Sequence, residues 1–232
     1  MTEQVELFDI VIPLGPNDEK LIRDTLPYTK KNIIGYRNIY IISFNDTLIF
    51  EGCITISEKI FPFTLDTISK YHGKISRNGW YLQQLLKLYA GLTIPNILEN
   101  YLVIDSDVFF LKPIRFYENE KFLYNYYYEN HLPYYDHMRR LHPSLIKMDI
   151  TKSGICHHML FQTKFVKELF AMVELEHNGE LFYNVFLKTV TEHSGSGASE
   201  YDIYFNFILH KHPDEITLRK LNWENTNDLN KL

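Results

Sequence analysis

The chain has 232 residues, a formal net charge of −5, 45% hydrophobic residues and 15% aromatic residues. Such an aromatic load excludes a disordered chain, and the mixed, slightly acidic charge excludes general nucleic-acid binding, which leaves a basic footprint. The length suits one domain, and no apolar run approaches the ~20 residues needed to cross a bilayer.

In chain order, Met1–Glu6 is acidic and lacks a signal-peptide core, so the expected setting is cytoplasmic, with Cys53 and Cys156 as two reduced thiols. A single disulfide between them is the alternative. Phe8–Pro13 reads as a short buried strand running into the turn Leu14-Gly15-Pro16-Asn17-Asp18. Asn17 or Asp18 can cap the helix that follows. Leu21, Ile22, Thr25 and Leu26 have helical spacing, and Pro27 is expected to end that run. Arg37–Ser43 is a second buried strand and Cys53–Ile56 a shorter third, so strand, helix and strand form a βαβ unit with a parallel sheet.

Leu65–Tyr71 reads as a short helix, and Tyr81 to about Gly91 as the most periodic one, with Leu82, Leu85, Leu86 and Tyr89 on one stripe. Tyr101–Pro113 follows as a central apolar strand broken by Asp105 and Asp107. On a strand these two share a face while Ser106 points away. Further on, Leu123–Tyr128 and Met159–Phe161 read as strands, and Tyr134–Leu141, Lys164–Glu174 and Leu181–Val190 as helices. His193–Gly197 is a flexible connector, a helix runs from near Ser199 to His210, and Ile216–Leu221 is the last strand. There is no internal repeat and no domain boundary.

Two like charges at the end of a buried strand need compensation, and hard cations such as Mg²⁺ or Mn²⁺ prefer carboxylate oxygen. Asp105 and Asp107 are therefore candidate metal or phosphate residues. Pro13, Gly15 and Asp18 sit where an open α/β sheet binds ligands, beyond the carboxyl end of a strand, and Ser43 holds the equivalent position after the second strand. A plain tight turn is the competing reading. Trp80, Gln84 and Lys87 lie along one helix edge behind Arg77, a set that suits a nucleoside diphosphate. The alternative makes Gln83, Gln84 and Lys87 the solvent face of an amphipathic helix.

Ser153-Gly154 precedes the adjacent pair His157-His158, whose rings would point to opposite sides of a strand and so not share a metal. Ser199 with Asp202 resembles a capping box. Glu200, beside the flexible glycine segment, is then a candidate general base.

Taken together, these stretches resemble a nucleoside-diphospho-sugar glycosyltransferase of the GT-A fold. More narrowly they resemble a glycosyltransferase family, formerly of unknown function, found in bacteria and large DNA viruses. The likeness runs from Asp9–Pro13 through Gly79–Ala90 and Asp105–Pro113 to Tyr134–Arg139, Ser153–His158, Ser196–Tyr201 and Arg219–Trp223. It implies a single α/β domain with a mixed, mostly parallel sheet flanked by helices. Residues 1–113 would form a Rossmann-like nucleotide-sugar-binding half and 114–232 the acceptor side.

By the same resemblance the enzyme would be a metal-dependent hexosyl- or pentosyltransferase. It would use Mn²⁺ or Mg²⁺, a nucleoside-diphosphate sugar donor and a glycan or glycoprotein acceptor. Asp107 would hold the metal, with Asp105 and Ser106 at the ribose or the metal's water shell. Pro13, Gly15, Asp18 and Ser43 would border the base and ribose, and Arg77, Trp80, Gln84 and Lys87 the diphosphate. Glu200 and Asp202 would be catalytic, and Ser153, Gly154, His157 and His158 would line the sugar or acceptor side. Such families continue past an Asn-Trp segment, here Asn222-Trp223, toward a further metal ligand, whereas this chain stops at Leu232. That implies either a domain taken from a longer chain, with another C-terminal domain, or a ligand replaced by water or dispensed with. A nucleotidyltransferase, or a non-catalytic nucleotide- or sugar-binding module, is the alternative function. The first would want a basic, Gly-rich loop that Pro13–Pro16 does not provide.

Overall fold

Phe8–Leu14 is apolar but for Asp9 and is buried along its whole length, as expected for a central parallel strand covered on both faces. This strand, β1, opens the computed structural model, which describes residues 8–226. The acidic start at Met1–Glu6 and the end at Leu232 lie outside the described residues. Helix α1 (Glu19–Asn32) leads to the two-residue β2 (Ile33–Ile34) and to β3 (Tyr36–Ser43) and β4 (Ile54–Ser57). Helices α2 (Leu65–His72) and α3 (Asn78–Thr93) then precede β5 (Asn100–Ile104).

Past β5 come the short β6 (Ile114–Arg115) and β7 (Tyr117–Glu118), then β8 (Lys121–Tyr126), α4 (Leu132–Leu141) and β9 (His158–Gln162). Helices α5 (Thr163–Glu176), α6 (Phe182–Thr189) and α7 (Glu200–Lys211) and strand β10 (Ile216–Lys220) complete the described chain. The main sheet has the order β4-β3-β1-β5-β9, parallel except for β9, which runs antiparallel to β5. A smaller sheet, β10-β8-β7, stands apart from it. The mixed α/β architecture with a mostly parallel sheet flanked by helices is as the sequence implied.

Two local expectations change. Pro27 does not end α1, which continues to Asn32. Its buried stripe of Ile22, Thr25, Leu26, Thr29 and Asn32 runs through the proline, and the Asn32 amide donates to the Phe110 carbonyl at the helix end. Packing along that stripe outweighs a propensity cost of ~3 kcal/mol. Strand β5 stops at Ile104, so Asp105-Ser106-Asp107 forms a turn beyond it and the strand alternation does not reach the pair. Both cysteines are free, Cys156 buried and Cys53 half-buried. No helix among the described residues is long and apolar enough to cross a membrane.

Candidate functional site

The sheet reverses its winding at β1: the chain moves outward to β3 and β4, then returns to place β5 on the other side of β1. At such a switch point the loops leaving the two neighbouring strands diverge and open a crevice at their carboxyl ends. Here those loops are Gly15–Asp18 and Asp105–Asp107. They are tied together, because Ser106 Oγ donates to Asp18 Oδ2 at 3.3 Å and Thr25 Oγ1 donates to the Ser106 carbonyl at 2.9 Å. A Cβ on Gly15 would lie 2.6 Å from Asp18 Oδ2, so the glycine makes room for that carboxylate to turn inward.

A cleft of about 440 Å³ extends over the ends of β1 and β3, lined by Leu14, Gly15, Pro16, Ser43, Phe44 and Lys59 among others. Phe44 is 64% exposed, and the Lys59 ammonium sits 5.9 Å from the centre of its ring. Pro13 is not part of this wall: it is buried within β1, opposite Ile42.

Beside the turn lies a buried ionic cluster. Lys87 Nζ, its side chain 4% exposed, is 2.6 Å from both Asp105 Oδ1 and Glu200 Oε1. Tyr201 donates its hydroxyl to Asp105 Oδ1 at 2.8 Å, and its ring lies under Lys87, 4.4 Å from Nζ. His157 Nδ1 is 3.2 Å from Asp105 Oδ2, and its carbonyl accepts from the Asp105 backbone N–H at 2.9 Å. His157 adopts φ of 59°, an uncommon conformation for a non-glycine residue, and this turns its ring toward the aspartate while His158 begins β9. Gln84 is also buried, and its Oε1 accepts from the Glu200 N–H at 3.1 Å. The solvent-face alternative for Gln84 and Lys87 therefore fails, because α7 covers that edge of α3.

Burial alone would discharge these groups. For Asp105, burial pushes the pKa up, but Lys87 and the His157 hydrogen bond outweigh it and hold the carboxyl well below the usual carboxylate range. Lys87 is likewise opposed by burial and held charged by Asp105 and Glu200. Glu200 is raised, chiefly by burial, with Lys87 opposing. Asp107 is exposed, and its pKa is raised by partial burial and then by the charge of Asp105, with a smaller push from Asp18.

Other candidates from the sequence do not reach the open site. Asp202 is buried, accepting from Ser153 Oγ at 3.0 Å and the Gly154 N–H at 3.2 Å, with Lys147 Nζ at 3.3 Å. Ser199 Oγ caps α7 by accepting from the Asp202 N–H, but the Asp202 carboxylate turns away into this network, so only half of a capping box forms. Ser153 and Gly154 are therefore supports rather than lining, and a Cβ on Gly154 would lie 2.5 Å from Phe205. His158 is buried against Phe110, Phe116 and Asn125, and burial lowers its pKa to about 3. Arg77 stacks on Trp80 at 4.3 Å and donates to Ser196 Oγ at 2.8 Å, binding the glycine connector to the start of α3.

Neither Tyr201 nor Lys147 stands out in the sequence as a candidate. Tyr201 is adjacent to Glu200, and only the helix geometry brings its hydroxyl back to Asp105.

A family model described as "Family of unknown function (DUF6492)" matches residues 40–214. The chain belongs to this family. The matched span contains Lys87, Asp105, Asp107, His157 and Glu200, so the whole ionic cluster lies within the DUF6492 region. No curated protein matches the chain. Among solved structures, apo mouse xyloside xylosyltransferase 1 is similar at 13% identity and a TM-score of 0.44, over 94% of this chain and 86% of that one.

Whether the DUF6492 site suits a divalent cation follows from its donors. Among the described residues, no three His, Cys, Asp or Glu side chains gather as a metal-holding group. Both Asp105 oxygens already accept hydrogen bonds, while Asp107 is exposed and crowded by like charge. Asp107, with Asp105 behind it, would be the carboxylate available to a hard cation such as Mg²⁺ or Mn²⁺, which would depend on water and ligand oxygens for its remaining contacts.

Proposed function

We propose that the protein is a glycosyltransferase that takes a nucleoside-diphosphate sugar at the switch point between β1 and β5 and transfers the sugar to a hydroxyl acceptor. One observation carries this reading. The loops after β1 and β5 are joined through Asp18 and Ser106, so the 440 Å³ cleft bordered by the first loop and the Lys87–Asp105–Glu200 cluster at the second share the carboxyl edge of two adjacent parallel strands. A nucleoside suits the cleft, with Phe44 as an exposed aromatic face for the base and Ser43 and Asn45 as polar neighbours.

Charge supports the cation requirement. Asp105 and Glu200 share a single buried ammonium, Lys87, and the exposed Asp107 adds a further negative charge, so an anionic diphosphate meets an acidic mouth unless another cation is present. Asp107, with Asp105 beside it, would hold that cation, which would supply positive charge against the departing diphosphate. The chain's own contribution is preorganisation. Lys87, Tyr201 and His157 fix Asp105 in its ionised form before any ligand arrives. Glu200, whose side chain is 4% exposed, is the partner that holds Lys87, and we assign it that role in place of the base role expected from the sequence.

The test is release of nucleoside diphosphate from a panel of nucleotide sugars in the presence of Mn²⁺. Asp107→Asn should abolish release while its circular dichroism and thermal transition stay as in the wild type. Undiminished release by a folded Asp107→Asn protein would sink the reading.

A further inference from the structure

On the far side of Asp105 a line of rings leads away from the ionic cluster. His157 meets half-buried Trp223 with ring centres 4.8 Å apart at 78°, and Trp223 meets Tyr127 at 5.4 Å and 62°. Tyr127 is 36% exposed and Tyr128 63%. Tyr127 is fixed in place, since it exchanges two backbone hydrogen bonds with Ser153, at 2.9 and 2.7 Å. The turn that starts here ends at His131, whose Nε2 contacts the Ser196 carbonyl at 2.8 Å, the residue held by Arg77. Residues 127–131 therefore bridge two walls, the Asp105–His157–Trp223 side and the α3–connector side.

Glu129 is at the centre of this bridge. Its carbonyl accepts from Tyr135 OH at 3.3 Å, which anchors the backbone. Its half-buried carboxylate has no hydrogen-bond or ion-pair partner among the described residues. The charges it senses come from Asp202 on α7, from His131 and His157, and from Lys147; with partial burial as the main cause, its pKa is raised. Glu200 and Asp202 are both buried in ion pairs, whereas the half-buried Glu129 has no such pair among the described residues.

We propose that the 127–131 turn and Trp223 form the acceptor subsite, in which a saccharide ring stacks on Tyr127 and Trp223 and gives its hydroxyl proton to Glu129. This rests on the nucleotide-sugar reading above. A sugar ring presents an apolar C–H face and a polar rim, which match aromatic faces bordered by a carboxylate and imidazoles. In the step itself the acceptor oxygen bonds to the anomeric carbon as the bond from that carbon to the diphosphate oxygen breaks. The bonding pair leaves with the diphosphate, and the acceptor proton ends on Glu129. Direct displacement inverts the anomeric configuration.

The experiment is saturation-transfer NMR on the full chain with lactose, maltose and cellobiose as probes, with nucleoside-diphosphate binding measured on the same samples. Irradiating the aromatic protons should saturate the sugar C–H protons, and Trp223→Ala should weaken disaccharide binding about tenfold while nucleotide binding persists. Glu129→Gln should bind the disaccharide as the wild type does, lower transfer about 100-fold and remove the acidic limb of the kcat profile, with an inverted product in the wild type. The proposal is overturned by no saturation of any probe, by equal saturation in Trp223→Ala, by saturation of a peptide probe instead, by a retained product, or by an unimpaired Glu129→Gln. If nucleotide binding persists in those cases, only the acceptor assignment fails; if no nucleotide binds, the donor reading fails first.

Discussion

Lys87 holds two carboxylates that would otherwise be buried without compensation. Lys87→Met fits the space but strands Asp105 and Glu200, so urea unfolding should show a loss of about 3–5 kcal/mol with an unchanged m-value. A loss below about 1 kcal/mol would mean that the cluster opens to water. In the sequence the same residue fitted the polar face of an amphipathic helix as well as a site, because nothing in α3 itself records that α7 will cover it. Histidine His137 tests burial in a second place. Its ring is fully buried, with Nε2 on the Phe186 carbonyl, and burial lowers its pKa to about 4. The unfolded state then takes up a proton near pH ~6.5 that the folded state refuses, so stability present above that pH is lost as the pH falls toward about 4. His137→Gln should flatten this acid limb in a pH series of thermal transitions, and an identical slope in both proteins would contradict the assignment.

At the scale of elements, packing overrules local preference more than once. Gly91 sits inside α3, where Ala would be favoured by ~1 kcal/mol on propensity alone. An added Cβ there would lie 2.3 Å from Thr163 Oγ1 and 2.4 Å from the Tyr101 ring, so α3 could not keep its seat on β5. Gly91→Ala should therefore destabilise the protein by about 1–3 kcal/mol, read from the denaturant midpoint. Pro27 shows the converse, a helix breaker carried through by a buried stripe.

The main strands and the long helices were legible because hydrophobic period and length carry them. The Ile104 end of β5 was not, since Val108-Phe109-Phe110 continues the apolar run while the chain has already turned. Asp105 and Asp107 were legible as charges out of place. Their division of labour, one locked and one exposed, needed His157 to arrive from 52 residues away.

For the whole molecule, the sheet order sets the site. Winding outward from β1 and returning on its other side leaves one crevice, and the residues that fill it come from α3, the turn after β5, the start of β9 and the start of α7. In the proposed reading the cleft over β1 and β3 receives the donor, and the aromatic line from His157 through Trp223 to Tyr127 receives the acceptor. The most direct measurement is thermal denaturation with a panel of nucleoside diphosphates, with and without Mn²⁺, since a ligand of the native state alone raises the transition by mass action. At least one nucleoside diphosphate should raise it, more with Mn²⁺, and Phe44→Ala and Asp107→Asn should each diminish the rise. No rise with any nucleoside diphosphate, or a rise indifferent to both substitutions, would contradict the nucleotide-sugar reading.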